Sequence, residues 1–153
     1  MSEFFNVLPP ADALAALLPH LAPSLRRETV AVPDALDRVT AASLVAPAPL
    51  PAFPRSVMDG YAVRARDTFG GSASLPAFLA VVGEAPMGRA PEMAVREGEA
   101  VIIHTGGMLP DGADAVVMVE NTQVAREGEI EVMKAVAVGE NVLKVGEDAR
   151  AGD

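Results

Sequence analysis

Cysteine and tryptophan are absent from this 153-residue chain, and the aromatics come to 1 Tyr and 5 Phe. Without cysteine there is no disulfide framework and no thiolate metal site, and a reducing cytosol is compatible. With only 2 His, His20 and His104, a zinc site of the ordinary kind is not expected either. Basic residues are also scarce. The formal net charge is −9 and the one basic pair is Arg26-Arg27, which argues against a nucleic-acid surface, since that needs clustered Lys and Arg. No run of eighteen or so apolar residues occurs, so no membrane-spanning helix is expected. The start, MSEFFNVLPPAD, has neither a basic region nor a long apolar run, so no signal peptide is expected. Half of the chain is nonetheless hydrophobic. Its core must be built from Val, Ala, Leu, Met and Ile, in one ordinary domain or two small ones.

Leu14, Leu17, Leu18 and Leu21 follow helical spacing, with Asp12 as N-cap after Pro9-Pro10 and a stop or kink at Pro19. Thr29, Val30 and Val32 read as a short strand. Pro33-Asp34 reads as the start of a second helix, running to about Ser43 with Leu36 and Val39 inward. Pro47, Pro49, Pro51 and Pro54 mark an extended crossing between two bodies, with Phe53 as its anchor. From there the pattern is β. Strands are expected in Leu75–Val82, Ala100–His104, Ala115–Val119, Glu129–Val136 and the closing ENVLKVGEDARAGD, with VARARDT and NTQVAREGE as turns or hairpin ends. Short strands punctuated by glycines indicate a small barrel or sandwich. The final GEDARAGD reads as a cut in a longer chain or as a frayed tail.

Three stretches hold candidate chemistry. In SVMDGYAVRARD, Asp59-Gly60 has two readings. One is a tight turn, since both residue types tolerate unusual φ. The other has Ser56 and Asp59 facing a cleft and holding a hydrated cation, as single carboxylates do for Mg²⁺. In HTGGMLPDGAD, a strand ends at His104, and Thr105-Gly106-Gly107 is either an anion-binding nest of backbone N–H groups or an ordinary loop whose tight turn is Pro110-Asp111-Gly112. It is not a P-loop, because no Gly-Lys-Ser/Thr follows. Gly146-Glu147-Asp148 reads as a possible metal ligand or as a solvated turn. No Ser/His/Asp set, catalytic carboxylate pair or dinucleotide fingerprint can be assembled.

PAFPRSVMDGYAVRARD, EGEAVIIHTGGMLPDGADAVVMVEN and VGENVLKVGEDARAGD occur in that order. Together they resemble the N-terminal part of the molybdopterin molybdenumtransferases, the molybdenum insertases often called MoeA, to which the gephyrin E domain is related. The stretch VPDALDRVTAASLVAP fits the family's opening as well. The resemblance implies an α+β, predominantly β fold. It would have short N-terminal helices, a discontinuous α+β dimerisation unit at 24–46 plus 139–153, and an inserted β-barrel-like domain at 47–138. Residues 1–23 would hold a helix that packs on a pterin-binding domain absent here.

It also implies a reaction. Adenylylated molybdopterin and molybdate give molybdenum cofactor and AMP with Mg²⁺, in a homodimer, downstream of a molybdopterin adenylyltransferase. Asp59, Thr105 and Asp148 align with functionally important residues of the family, with Asp59 as the metal ligand. Ser56 and Gly106 are assigned to cofactor binding. The chain alone is expected to have no turnover. Two rival readings are a non-catalytic dimerisation or scaffold module, and a tungsten-inserting relative. The sequence departs from the family pattern at Pro54-Arg55, where Asp-Asn is frequent, at Gly107, where alanine is usual, at Asp37, where glycine is usual, and at Pro19.

Overall fold

The computed structural model describes residues 7–21 and 26–153. By its internal contacts the chain forms two compact units, Met1–Leu44 and Val45–Asp153. The expected boundary at 23/24 falls outside the described residues, and residues 139–153 belong to the same unit as the β domain.

In the first unit the helix α1 spans Pro10–Leu17, two residues earlier than the leucine spacing indicates, and a 3-10 turn continues it over Leu18–His20. Pro9 is the N-cap, with its carbonyl accepting from Ala13 N–H at 2.9 Å. Asp12 therefore sits in the first turn, where its charge meets the positive end of the helix dipole, and is not the cap. Pro10 at the first helical position forfeits no hydrogen bond. The regular helix stops just short of Pro19, which has no N–H to give. Leu14, Leu17, Leu18 and Leu21 are all roughly half exposed.

Neither the strand expected at 29–32 nor the helix expected from Pro33 to about Ser43 is present. A single 3-10 turn, Val32–Ala35, stands in their place. Asp37 ends it with φ 63°, in the left-handed region, where glycine is the residue with no steric penalty. Leu36 and Val39 are exposed, not inward. With no apolar face buried, nothing offsets the entropy of ordering a short helix. Polar contacts hold the turn instead, with Arg38 reaching the Asp34 carbonyl and the Glu28 carboxylate.

The second unit is mostly β. Its strands are β1 (Arg55–Ser56), β2 (Gly60–Val63), β3 (Ser72–Glu84), β4 (Glu99–Ile103), β5 (Ala115–Met118), β6 (Thr122–Arg126), β7 (Glu129–Lys134) and β8 (Val142–Leu143). Six of them form one half-barrel sheet in the order β5-β2-β4-β3-β7-β6, in which only the β3–β4 pair is parallel. β1 and β8 form a separate antiparallel pair. The proline-rich segment is not simply extended as expected: it bends at 47–48 and at 51–53 and has a cis Leu50-Pro51 peptide bond, and it is hydrogen-bonded along the chain's end, with Leu50 N–H reaching Ala149 O at 2.8 Å and Ala46 N–H reaching Asp153 O at 2.9 Å. Phe53, its expected anchor, is 37% exposed.

The sheet buries both faces. Val63, Ala100, Ala115, Val117, Ile130 and Val132 pack on one side, and Ala62, Val101, Ile103 and Val116 on the other. That is why AVII and AVVM are continuous apolar runs without polar alternation. Each fully buried Val, Ile or Leu contributes about 1.5–3 kcal/mol, so medium-sized aliphatics replace the missing aromatics. Three strands were not legible as such: the two-residue β1 follows directly on the segment read as a crossing. GYAV is β2, in the interior of the sheet, and TQVAR is β6, where only Glu127-Gly128 turns the hairpin, with Gly128 at φ 75°.

Candidate active site rim

Strand register builds the site. β2 and β4 pair antiparallel with Gly60 opposite Ile103, so the next residue on each strand brings Asp59 alongside His104 and Thr105. Asp59 Oδ1 accepts the Thr105 backbone N–H at 2.7 Å and the Thr105 hydroxyl at 3.1 Å. The Asp59 side chain stays 64% exposed. The Thr105 N–H, then the Thr105 hydroxyl, favour the charged carboxylate and hold its pKa below the ordinary aspartate value, with nearby His104 a smaller contribution in the same direction. Asp59 is thus ionised, oriented by a segment 46 residues away, and open to solvent.

Asp59-Gly60 is not a hairpin turn. Gly60 is the first residue of β2, and a Cβ there would lie 2.0 Å from the Val117 carbonyl oxygen. Glycine is required by the close approach of β5. The Asp59 carbonyl also accepts from Val119 N–H at 3.1 Å.

Ser56 lies beneath the rim. It is 1% exposed, and its Oγ donates to the Met58 carbonyl at 2.5 Å and accepts from the Met58 N–H at 3.2 Å. Its backbone N–H donates to Gly107 O at 2.9 Å, and its carbonyl accepts from Gly106 N–H at 2.8 Å. Ser56 thereby shapes the turn into Asp59 and fastens it to the 105–107 loop.

The nest reading of that loop does not hold. Thr105 N–H is taken by Asp59, Gly106 N–H by Ser56 and Gly107 N–H by His104 O at 2.8 Å, so none of the three is open to an anion. The tight turn at Pro110-Asp111-Gly112 is present, closed by Ala113 N–H to Pro110 O at 3.2 Å, with Gly112 at φ 84°.

Asp148 sits elsewhere on the unit. Its N–H donates to Leu50 O at 3.0 Å, and its carboxylate lies 4.0 Å from the Arg55 guanidinium. Both side chains are largely exposed, so the pair is weak. No contact joins Asp148 to Asp59 among the described residues. Glu147 caps its own turn by accepting from Lys144 N–H at 2.8 Å.

His104, beside Asp59, and Glu84, beside His104, were not singled out from sequence as site residues. His104 Nδ1 is 3.8 Å from Asp59 Oδ1, and His104 Nε2 is 3.0 Å from Glu84 Oε1. Glu84 ends β3, whose parallel register sets it against Ile102. Only that parallel pairing brings Glu84 to the rim, and no local pattern announces it. Among the described residues, no three His, Cys, Asp or Glu side chains converge so as to enclose a metal ion.

The fold and rim define a class: a small, mostly β unit that displays one fixed carboxylate at an open edge. The chain belongs to the MoeA N-terminal region (domain I and II) family, whose model matches residues 8–153. It is 38% identical over 146 residues to the molybdopterin molybdenumtransferase of Bacillus subtilis, covering 94% of this chain and 34% of that protein. It is 41% identical over 124 residues to a putative molybdopterin biosynthesis protein of Methanocaldococcus jannaschii, covering 81% of this chain and 29% of that one. The crystal structure of a molybdopterin biosynthesis moeA protein from Pyrococcus horikoshii OT3 superposes with TM-score 0.83 at 35% identity, covering 96% of this chain and 38% of that chain. The chain thus spans about a third of the length of these relatives.

Proposed function

We propose that this chain is the dimerising, site-completing N-terminal portion of a cytoplasmic molybdenum insertase. The complete enzyme converts adenylylated molybdopterin and molybdate to molybdenum cofactor and AMP with Mg²⁺, using pterin delivered by a molybdopterin adenylyltransferase. The observation that carries this reading is the exposed Asp59 carboxylate, fixed by two hydrogen bonds from Thr105.

The residues fit Mg²⁺ in one specific sense. Mg²⁺ keeps several waters and is commonly bound through one or two carboxylates plus substrate phosphates. Asp59 is such a carboxylate, charged and held in place, and the remaining ligands come from water and substrate. When bound, the cation offsets charge on the phosphates during anhydride cleavage. In this chain, Thr105 orients Asp59, Ser56 fixes the turn that leads to it, and Gly106 supplies the amide that ties the loop to Ser56. Asp148 acts at a separate place on the unit. In the proposed homodimer, 24–46 with 139–153 makes the subunit contact, and the rim of one subunit faces the pterin pocket of the other.

Asp59→Asn in the full-length enzyme tests this. Molybdenum insertion is expected to fall by at least about tenfold with the dimer intact. Unchanged insertion would instead favour the scaffold reading. Tungstate competition in the same assay separates a tungsten-inserting relative from a molybdenum insertase.

A further inference from the structure

We propose that Asn141 is a positioning residue for Asp59: it clasps the edge of β5 and, through Val57, sets the turn from which the Asp59 carboxylate projects. This rests on the reading of Asp59 above and extends it to the loop that leads into β8.

Asn141 stands in the left-handed region, with φ 59°. Glycine visits that region freely, and asparagine and aspartate are among the few others that tolerate it. Contacts on both sides hold the residue there. Its Nδ2 donates to Val116 O at 2.8 Å, in a part-buried contact, while Val116 N–H donates to Glu140 O at 3.0 Å. Gly139 N–H reaches Asp114 O at 2.7 Å. Residues 139–141 thus cover the outer side of β5, the end strand of the sheet. The Asn141 carbonyl, aimed by that clasp, accepts the Val57 N–H at 3.1 Å. Val57 is two residues from Asp59. The Ser56 Oγ bonds to Met58 are local and move with the turn. Among the described residues, the turn's backbone is tied outward to Gly106 and Gly107 through Ser56, and to Asn141 through Val57. The Asp59 carbonyl is itself held by Val119 N–H, just past β5. The backbone at Asp59 is therefore fixed to β5 twice, once directly and once through Asn141, while Thr105 fixes the carboxylate. Residue choice follows from this. Glycine would adopt the φ but has no group for Val116. Aspartate tolerates the φ, but a carboxylate only accepts and cannot bond to Val116 O. Of the three, only asparagine meets both demands.

The test uses Asn141→Gly and Asn141→Asp. In the ¹⁵N-labelled 153-residue chain the Thr105 amide reports on Asp59, because its N–H bonds to Asp59 Oδ1 at 2.7 Å. Its proton is expected to move upfield in both variants, as that hydrogen bond lengthens. The amides of Val63 and Val132, both fully buried in the core, should keep their wild-type positions and so verify the fold. Where Asn141→Asp does not fold, Asn141→Gly decides. Thr68→Val, which loosens the core elsewhere, should leave the Thr105 amide in place. In the full-length enzyme carrying Asn141→Gly, the Mg²⁺ concentration for half-maximal molybdenum insertion should rise about tenfold, the low end of what losing a ligand's supporting contact costs. A Thr105 amide that stays at its wild-type position in the Asn141 variants, or that moves equally in Thr68→Val, overturns the positioning role. An amide that moves only in the Asn141 variants, with insertion and its Mg²⁺ dependence unchanged, leaves the positioning role standing and overturns the reading of Asp59 as the cation's carboxylate.

Discussion

Replacing Gly60 with alanine isolates the feature that sets Asp59 in place. A Cβ at this position would lie 2.0 Å from the Val117 carbonyl oxygen, 2.9 Å from its carbon and 3.0 Å from Met118 Cα. Heavy atoms settle at about 3.5 Å, so β5 must retreat by more than about an ångström. The clashing atoms are backbone of a strand paired to β2, with Gly60 opposite Met118, and no rotamer change relieves them. Overpacking of this kind, with an end pair of the ladder loosened, costs about 2–4 kcal/mol. For a domain of this size that lowers the Tm by about 5–15 °C. Gly128→Ala is the control. Gly128 has φ 75° but nothing within 4 Å of an added Cβ, so only the left-handed backbone penalises it, by about 1–2 kcal/mol. Thermal melts followed by far-UV circular dichroism compare the two variants. If Gly60→Ala melts at or above the temperature of Gly128→Ala, close strand approach is not what requires glycine at position 60.

Thr105→Val should raise the Asp59 pKa towards its ordinary value but not all the way, because the Thr105 N–H, the larger cause, remains; ¹³C titration of the carboxyl reads this, and Thr105→Ser should match the wild type. The sign is that of a depressed carboxylate. The stabilisation it gives is complete above about pH 4, the ordinary aspartate range, and is lost as pH falls through the lower folded-state value, so the wild type's advantage over Thr105→Val should vanish in acid and persist at neutral pH. Thr68→Val should destabilise by about 2–4 kcal/mol in urea unfolding: the buried Thr68 hydroxyl donates to Ala65 O at 2.7 Å and accepts from Val136 N–H at 3.0 Å, and valine leaves two buried backbone groups unpaired. A loss under about 0.5 kcal/mol would mean that water replaces both bonds.

The parts of the fold legible in the sequence were those fixed by local chemistry. β-branched runs gave β4 and β5, because strands buried on both faces need continuous apolar residues, and partial alternation with Ile130 and Val132 on one face gave β7. Pro-Asp-Gly gave its turn. The parts set by distant partners were not legible. The helix expected from Pro33 shrank to one turn because Leu36 and Val39 have nothing to bury against. β2 was hidden because Asp-Gly in sequence reads as a turn, whereas Gly60 here answers to the Val117 carbonyl. β6 was read as a turn because its side chains are mostly exposed, and edge strands carry little apolar signal. At the site, Asp59 and Thr105 were singled out separately, and their hydrogen bonds came only with the β2–β4 register. Glu84 had no signal at all, since a parallel pair carries no sequence mark of its own.

The rim's geometry also bears on why so little of a site is built here. One carboxylate fills at most two positions around a divalent cation, whereas Mg²⁺ takes six ligands. A protein that held the ion alone would need further carboxylates close by, and among the described residues no such set converges. What the chain supplies is precision. Asp59 is pinned through Thr105 to the end of β4, in the interior of the sheet, so its position is inherited from the core. On the proposed reading the phosphates arrive with the substrate, and the pocket that holds them belongs to the rest of the enzyme. The 153-residue chain should then keep the Asp59–Thr105 contact, seen as a low carboxyl pKa by NMR, while showing no molybdenum insertion. Turnover by this chain alone would mean that the rim holds a complete site, and the argument from ligand number would be wrong.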